Sequence, residues 1–292
     1  MSIVVENLNH SYKAGTPFEK QVLFDLNLEI SNGEFVGLIG PTQAGKTTLA
    51  QHFNGLFIPS KGRVLIDGKD IANPATDIVA IRHQVGYVFQ NPENQLFKET
   101  VGADIAFAPL NQKCSKEEID QRVRESMDLV GLNYDIFFKR DIFALSGGQK
   151  RRAAIAGVLA GHPRVLVLDD PTAGLDPRGR DEILDVIGKL HQEKEMTIIF
   201  ISNSMEDVAR MAKRIIVMNE GRIFADGQTR HIFSESERLR RIGLGIPETI
   251  EIMQMLEARG IPVPTDTLTI EETIDAISIT MTGKGGLTNG VN

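Results

Sequence analysis

Two runs of this chain, RVLVLD at residues 164–169 and MTIIFIS at residues 196–202, are apolar throughout instead of alternating with polar residues. Between them lies a charged stretch with helical character, RGRDEILDVIGKLHQEK. A strand without a polar face needs cover on both sides, and a helix between two such strands carries the chain back to begin the second in the same direction. The pattern therefore predicts an α/β fold around a buried, parallel sheet. A third run of this kind, EFVGLIG at residues 34–40, follows two short β-like runs, IVVENLNH and QVLFDLNLEI. Residues 90–141 are richer in helix: SKEEIDQRVRESMDLVGL opens on a serine cap, carries acids in its first turn and ends at Gly131. Past Gly221 the character changes again, with Pro247, Pro262 and Pro264 punctuating two amphipathic segments, PETIEIMQMLEARG and TIEETIDAISI. Residues 222–292 are read as a separate small C-terminal domain, and their tail, TGKGGLTNGVN, as flexible.

The EFVGLIG strand runs directly into GPTQAGKT, residues 40–47, and the residues after it turn helical. This is G-x-x-x-x-G-K-[ST] in its required strand–loop–helix setting. The loop of Gly40, Pro41, Thr42, Gln43, Ala44 and Gly45 can wrap a phosphate in backbone N–H groups, and the helix beginning near Gly45 points its positive end at the same anion. Lys46 reaches the β- and γ-phosphates, Thr47 offers a hydroxyl to Mg²⁺, and Thr48 follows in the same turn. Gln43 stands where many such loops carry glycine, so a positive φ there would strain the backbone. The second motif is the aspartate pair that ends RVLVLD: Asp169 sits at the carboxyl end of its strand, where open α/β sheets bind ligands, and is the expected partner of the Mg²⁺ shell. The third is LSGGQKRRAAIAGVLA, in which Ser146, Gly147, Gly148 and Gln149 open a helix and form a second phosphate-facing N-terminus.

LSGGQ in this order resembles the signature of the ATP-binding cassette ATPases, and the resemblance covers about residues 3–233. It implies a P-loop fold with a mixed-sheet core, an antiparallel β subdomain and a helical subdomain near residues 90–160, together making residues 1–221. It also implies a head-to-tail pair, each ATP held between the P-loop of one subunit and the signature of the other. By the same resemblance Tyr12 stacks on adenine, Gln90 in VFQNP contacts Mg²⁺ and the attacking water, and Asp176 in AGLDP links the two sites across the pair. Asp170 stands where the family carries the glutamate that polarises the attacking water, and Asn203 in FISNSMEDVA where it carries histidine. An aspartate withdraws the carboxylate by roughly 1.5 Å, one carbon–carbon bond, and a misplacement of about 1 Å can cost on the order of a hundredfold in rate. Asparagine can still hydrogen-bond a γ-phosphate but cannot titrate. Binding is thus expected to survive better than hydrolysis. Compensation by water or a backbone shift, and introduced substitutions, stay open beside that reading.

Longer stretches, among them FQNPENQLFKETVGADIAFAPLN, SGGQKRRAAIAGVLAGHPRVLVLDDPTAGLDP and IPETI, resemble the ATPase subunits of energy-coupling factor importers, in particular the second of their two ATPase types. The resemblance implies a sister ATPase as partner, with a homodimer as the alternative. It further implies a membrane scaffold docked near the segment after Gln90, a separate membrane protein that binds a vitamin or a cobalt or nickel ion, and a peripheral place on the cytoplasmic face of the membrane. A C-terminal extension, residues 222–292, would help hold the ATPase pair together, with a regulatory module or packing on its own chain as the alternatives. Composition agrees with these expectations. With 41% hydrophobic and 24% charged residues in 292, the chain suits one or two globular domains. Its net charge of −7 argues against a nucleic-acid binder. The single cysteine, Cys114, points to a reducing compartment, and no apolar run is long enough to span a bilayer. A cassette ATPase of DNA repair would instead show zinc-binding cysteines or a long coiled-coil insertion. A nucleotide-responsive structural subunit with negligible catalysis, or the ATPase of another cassette importer, remains as an alternative.

Overall fold

A computed structural model describes residues 1–284; the rest of the tail expected to be flexible, residues 285–292, lies outside the described residues. The chain opens with β1 (Ile3–Tyr12), β2 (Lys20–Ile30) and β3 (Phe35–Ile39), then α1 (Lys46–Phe53), β4 (Lys61–Ile66), β5 (Lys69–Asp70), α2 (Ile78–Gln84) and β6 (Val85–Val88). The helix-rich middle holds α3 (Val101–Ile105), α4 (Phe107–Asn111), α5 (Lys116–Leu129), α6 (Tyr134–Phe137) and α7 (Gly147–Leu159). Then come β7 (Val165–Asp169), α8 (Pro177–Lys194), β8 (Thr197–Ile201), α9 (Met205–Met211), β9 (Arg214–Asn219) and β10 (Arg222–Gln228). The chain ends in α10 (Thr229–Ser234), α11 (Ser236–Arg241), α12 (Glu248–Ala258) and α13 (Ile270–Lys284).

The strands form two sheets, an antiparallel one in the order β2-β1-β4-β5 and a six-stranded one in the order β10-β9-β3-β8-β7-β6. In the second, β9, β3, β8, β7 and β6 run parallel, and only the edge strand β10 runs antiparallel, to β9. Side chains alternate across each strand. Phe35 and Ile39, Leu166 and Leu168, and Ile198 and Phe200 face a core built with α3, α5, α7, α8 and α9. Their neighbours Val36 and Leu38, Val165 and Val167, and Ile199 and Ile201 face a second core made with α1 and the antiparallel sheet. One face of the parallel strands is therefore covered by helices and the other by α1 and a second sheet. Each covering layer explains why neither face could be polar.

Local chemistry sets the helix starts. Ser115 accepts from Glu118 N at the start of α5, with Glu117 and Glu118 in the first turn, and Ser204 accepts from Asp207 N at the start of α9. α5 stops before Gly131, whose φ of 69° suits a C-terminal glycine. In the C-terminal part, Ile232, Phe233, Leu239, Leu244, Ile246 and Ile250 pack into the same core as α7 and α8, while Arg230 pairs with Glu272 of α13. Because β3, β6, β7 and β8 are parallel, their carboxyl ends share one edge of the sheet. That edge carries the P-loop, Gln90, the aspartate pair and Asn203.

Candidate nucleotide-binding site

At the end of β3 the chain turns through Gly40, where a Cβ would lie 2.2 Å from the carbonyl oxygen of Met218. Only glycine lets the loop pass β9 this closely. Gln43 has φ 67°, so the position where the sequence raised the question does take the left-handed backbone. Gly45 caps α1, and Lys46 folds back to donate from Nζ to the carbonyls of Gly40 (2.6 Å) and Pro41 (3.1 Å). Burial draws the Lys46 ammonium below its ordinary range, opposed by the charges of Asp169 and Asp170. The loop residues Gln43 to Thr48 and Tyr12 line one cleft, with a volume of ≈ 480 Å³, together with Lys20, Glu220 and Gly221.

Thr47, in the wall of this cleft, meets Asp169: Thr47 Oγ1 donates to Asp169 Oδ2 at 2.8 Å. Tyr87, on β6, donates its hydroxyl to the same oxygen at 3.0 Å. Burial pushes the Asp169 carboxyl upward, with the neighbouring charge of Asp170 adding to it, while the Thr47 and Tyr87 hydrogen bonds and Lys46 hold it down. Among the described residues no group of three or more histidine, cysteine, aspartate or glutamate side chains is placed to hold a metal. One hydroxyl and one carboxylate, side by side and both oxygen donors, fit a Mg²⁺ that takes its other ligands from phosphate and water.

Asp170 follows at φ 53°, a backbone region in which aspartate is tolerated better than most residues, and its N–H donates to Ile201 O at 2.8 Å. Asn203 Nδ2 donates to Asp170 Oδ2 at 2.9 Å. The two positions that depart from the family pattern thus touch each other. Gln90 lies exposed just beyond β6.

The signature sits in a different cleft. Ser146 Oγ accepts from Gln149 N at 3.3 Å and Gln149 Oε1 accepts from Ser146 N at 3.0 Å, a capping box that starts α7. Gly147 and Gly148 line that cleft of ≈ 590 Å³ with Asp176, and shares of its wall come from Arg152 and Glu182. A Cβ at either glycine would meet nothing within 4 Å, so nothing in this chain requires glycine there. Asp176 caps α8, accepting from Gly179 N at 3.2 Å. None of the residues lining the signature cleft lines the P-loop cleft.

Several residues that bear on the site carried no local signal. Tyr87 reads as an ordinary aromatic in an apolar strand. Arg151, buried on α7, donates from Nη1 to the carbonyls of Pro171 (2.9 Å) and Ala173 (2.7 Å), and its Nη2 lies 3.7 Å from Glu93. On the other side of that turn, Thr172 Oγ1 donates to buried Asp207, which Arg180 also contacts at 2.6 Å. The turn after Asp170 is held from both sides, by α7 and by α9.

Residues 23–173 match the ABC transporter family. The chain is 51% identical over 272 residues to the energy-coupling factor transporter ATP-binding protein EcfA2 of Clostridium tetani, spanning 93% of this chain and 94% of that relative. It belongs to the EcfA2 family of ABC ATPases. EcfA2 of Clostridioides difficile is 49% identical over 98% of this chain and 99% of its own. Among solved structures, cbiO1 from Clostridium perfringens, described as part of the ABC transporter complex cbiONQ, superposes with a TM-score of 0.73 at 38% identity, over 86% of this chain and 98% of that one. A dimeric post-hydrolysis state of the ATP-binding cassette MJ0796, bound to ADP and Pi, gives a TM-score of 0.69 at 29% identity, over 78% and 98%. EcfA2 proteins are ATP-binding subunits, and the ABC ATPases to which they belong hydrolyse ATP coupled to transport. In this EcfA2 chain, no described helix is long and apolar enough to cross a membrane.

Proposed function

We propose that this EcfA2-type chain binds MgATP on its own P-loop, completes a second ATP site on a sister ATPase through its signature, and turns over ATP slowly at its own site. The observation that carries the reading is the contact between Asp170 and Asn203: the short carboxylate that would orient water is itself held by the amide that replaces a histidine. The open space around Gly147 and Gly148 supports an approach to the signature from outside the chain, and the similar cassette MJ0796 is dimeric.

The reaction is phosphoryl transfer from ATP to water. Lys46 and the loop amides bind the β- and γ-phosphates, and Thr47 with Asp169 would hold Mg²⁺, whose charge when bound offsets that developing on the γ-phosphate. Tyr87 and Thr47 fix the Asp169 oxygen. Asp170 orients water from a withdrawn position, and the sister's signature closes over the γ-phosphate as this chain's signature closes over the sister's. Closure of the pair is the work-producing step, transmitted through the Gln90 segment to a membrane scaffold on the cytoplasmic side. The transported cargo, a vitamin or a cobalt or nickel ion, is recognised by another polypeptide. The same Asp170–Asn203 contact favours a second reading in which this chain's own site is a nucleotide clamp without turnover.

The test is ATP turnover by the assembled pair after the sister's catalytic carboxylate is removed. Turnover should collapse while MgATP binding by this chain persists. Full turnover with the sister disabled refutes the asymmetric reading, and failure of the isolated chain to bind MgATP refutes the nucleotide assignment itself.

A further inference from the structure

Two histidines lie beneath the rim of the P-loop cleft, and neither has a part in phosphate binding. His52, on α1, is fully buried, and His10, on β1, is 6% exposed. Their rings meet edge to face, with centroids 4.7 Å apart, and His52 Nε2 lies 3.2 Å from His10 Nδ1. His52 Nδ1 lies 2.7 Å from the carbonyl of Thr48. A carbonyl can only accept, so His52 carries its proton on Nδ1. Burial pulls His52 down to about 4, and it lowers His10 as well, so both rings are neutral near neutral pH. His52 Nε2 then holds a lone pair, and the 3.2 Å contact is a hydrogen bond when His10 carries its proton on Nδ1. The hydrogen bonds then run one way, from His10 through His52 to Thr48. His10 Nε2 is buried with no side-chain partner among the described residues, and the Ile58 backbone lies against the His10 ring.

Thr48 is bound a second time. Its hydroxyl and the Tyr12 hydroxyl are 2.8 Å apart. Tyr12 lies two residues beyond His10 on β1, where the pairing with β2 is irregular around His10, and the two rings also meet edge to face at 5.1 Å. Phe57 closes the group, 4.9 Å from His10 and 5.5 Å from Tyr12. The connections form a loop: Tyr12 to Thr48 by hydroxyls, Thr48 to His52 to His10 by hydrogen bonds, and His10 back to Tyr12 along the strand. Tyr12 is therefore anchored to α1, the helix whose first turn carries Lys46 and Thr47. Yet Tyr12 is 36% exposed, at the wall of the phosphate cleft.

We propose that His10 and His52 are positioning residues for base recognition: they hold Tyr12 in fixed register with the P-loop, so that the cleft selects a nucleoside triphosphate by its planar base as well as by its phosphates. The physical content is preorganisation. An aromatic platform that is already locked loses little side-chain entropy when a base settles on it, and stacking then adds to affinity without moving the phosphates. The inference rests on the nucleotide reading above.

The test compares affinities of the purified full chain for MgATP and for magnesium tripolyphosphate, which has the phosphates but no base. His52→Leu should weaken MgATP by about tenfold, within the range of a lost base–aromatic stack, and change tripolyphosphate by less than about twofold. Tyr12→Ala should do the same, and Tyr12→Ala with His52→Leu should be no worse than Tyr12→Ala alone, because the histidine acts through the tyrosine. Thr48→Val, which keeps the volume and the backbone carbonyl but removes the hydroxyl, cuts the loop at its other link and should shift the ATP-to-tripolyphosphate ratio in the same direction. Thr48→Ser should restore it. A His52→Leu chain that loses both ligands equally, or whose effect on ATP adds in full to that of Tyr12→Ala, overturns the proposal. If His52→Leu fails to fold, the Thr48 pair decides: an unchanged ratio in Thr48→Val overturns it as well. A wild-type chain that binds neither ligand refutes the nucleotide reading instead.

Discussion

Lengthening Asp170 to glutamate, alone and with Asn203→His, is the most direct perturbation of the proposed weak site. The Asp170 backbone is pinned at φ 53° by its N–H bond to Ile201, so the added methylene has to go into side-chain reach. That reach is about 1.5 Å, one carbon–carbon bond. With rate losses on the order of a hundredfold for displacements of about 1 Å, recovering it should raise kcat at this site by at least about tenfold, or ~1.4 kcal/mol of barrier. Two costs run against the gain. A glutamate in left-handed backbone loses about 1 kcal/mol of stability relative to a residue that tolerates it, and the 2.9 Å bond from Asn203 is given up. Since the two side chains touch, the changes should not add: Asn203→His alone releases the short carboxylate and leaves kcat flat or lower, while the double variant exceeds either single one, with a coupling of about 0.5–3 kcal/mol. The assay is kcat and KM for ATP on the assembled pair with the sister's carboxylate removed, so that only this site is counted, beside MgATP affinity. Affinity should stay near wild type in all variants, since neither side chain belongs to the P-loop. If the double variant stays within about twofold of wild type in kcat, the short carboxylate is already compensated and the argument from its length is wrong.

His52 should make the fold acid-sensitive: its folded pKa of about 4 lies below the unfolded 6.5, so its contribution is full above the unfolded value and is lost as pH falls toward about 4. The shift corresponds to about 3 kcal/mol, and urea denaturation of wild type and His52→Gln across that range should show the variant with the flatter pH dependence; equal slopes would count against it. Asp169 runs the other way: its folded pKa is raised by burial, so its contribution is full below the unfolded value and lost as pH rises through the folded one. At neutral pH its buried charge is a cost, so Asp169→Asn should raise Tm without nucleotide and shrink the further rise given by MgATP. A variant less stable than wild type without nucleotide refutes that account.

What was legible beforehand was whatever chemistry packs into a few consecutive residues. GPTQAGKT declares a strand, a loop and a helix at once, and the serine caps of α5 and α7 announce helix starts, so the P-loop, Asp169 and the signature could be placed from residue order. Gln43 could be posed as a question about φ, which the fold answers at 67°. The residues that hold these groups in place gave no such sign, because their partners are remote in sequence. Tyr87 reaches an aspartate 82 positions away and His10 a histidine 42 positions away, and a tyrosine or histidine in a strand has no pattern that separates a buttress from packing. Arg151 looks like one cation in the KRR that follows the signature, yet it is buried and spends its donors on the turn behind Asp170. The clearest change of meaning is at Asn203. In the sequence it and Asp170 are two separate departures, 33 positions apart, each a loss; in the fold they are one hydrogen-bonded unit. Both side chains are smaller than the glutamate and histidine of the family pattern, yet they remain within hydrogen-bond reach of each other. The two short side chains satisfy each other, so the proposed loss would fall on hydrolysis and leave the phosphate-binding loop, which contains neither residue, as it is.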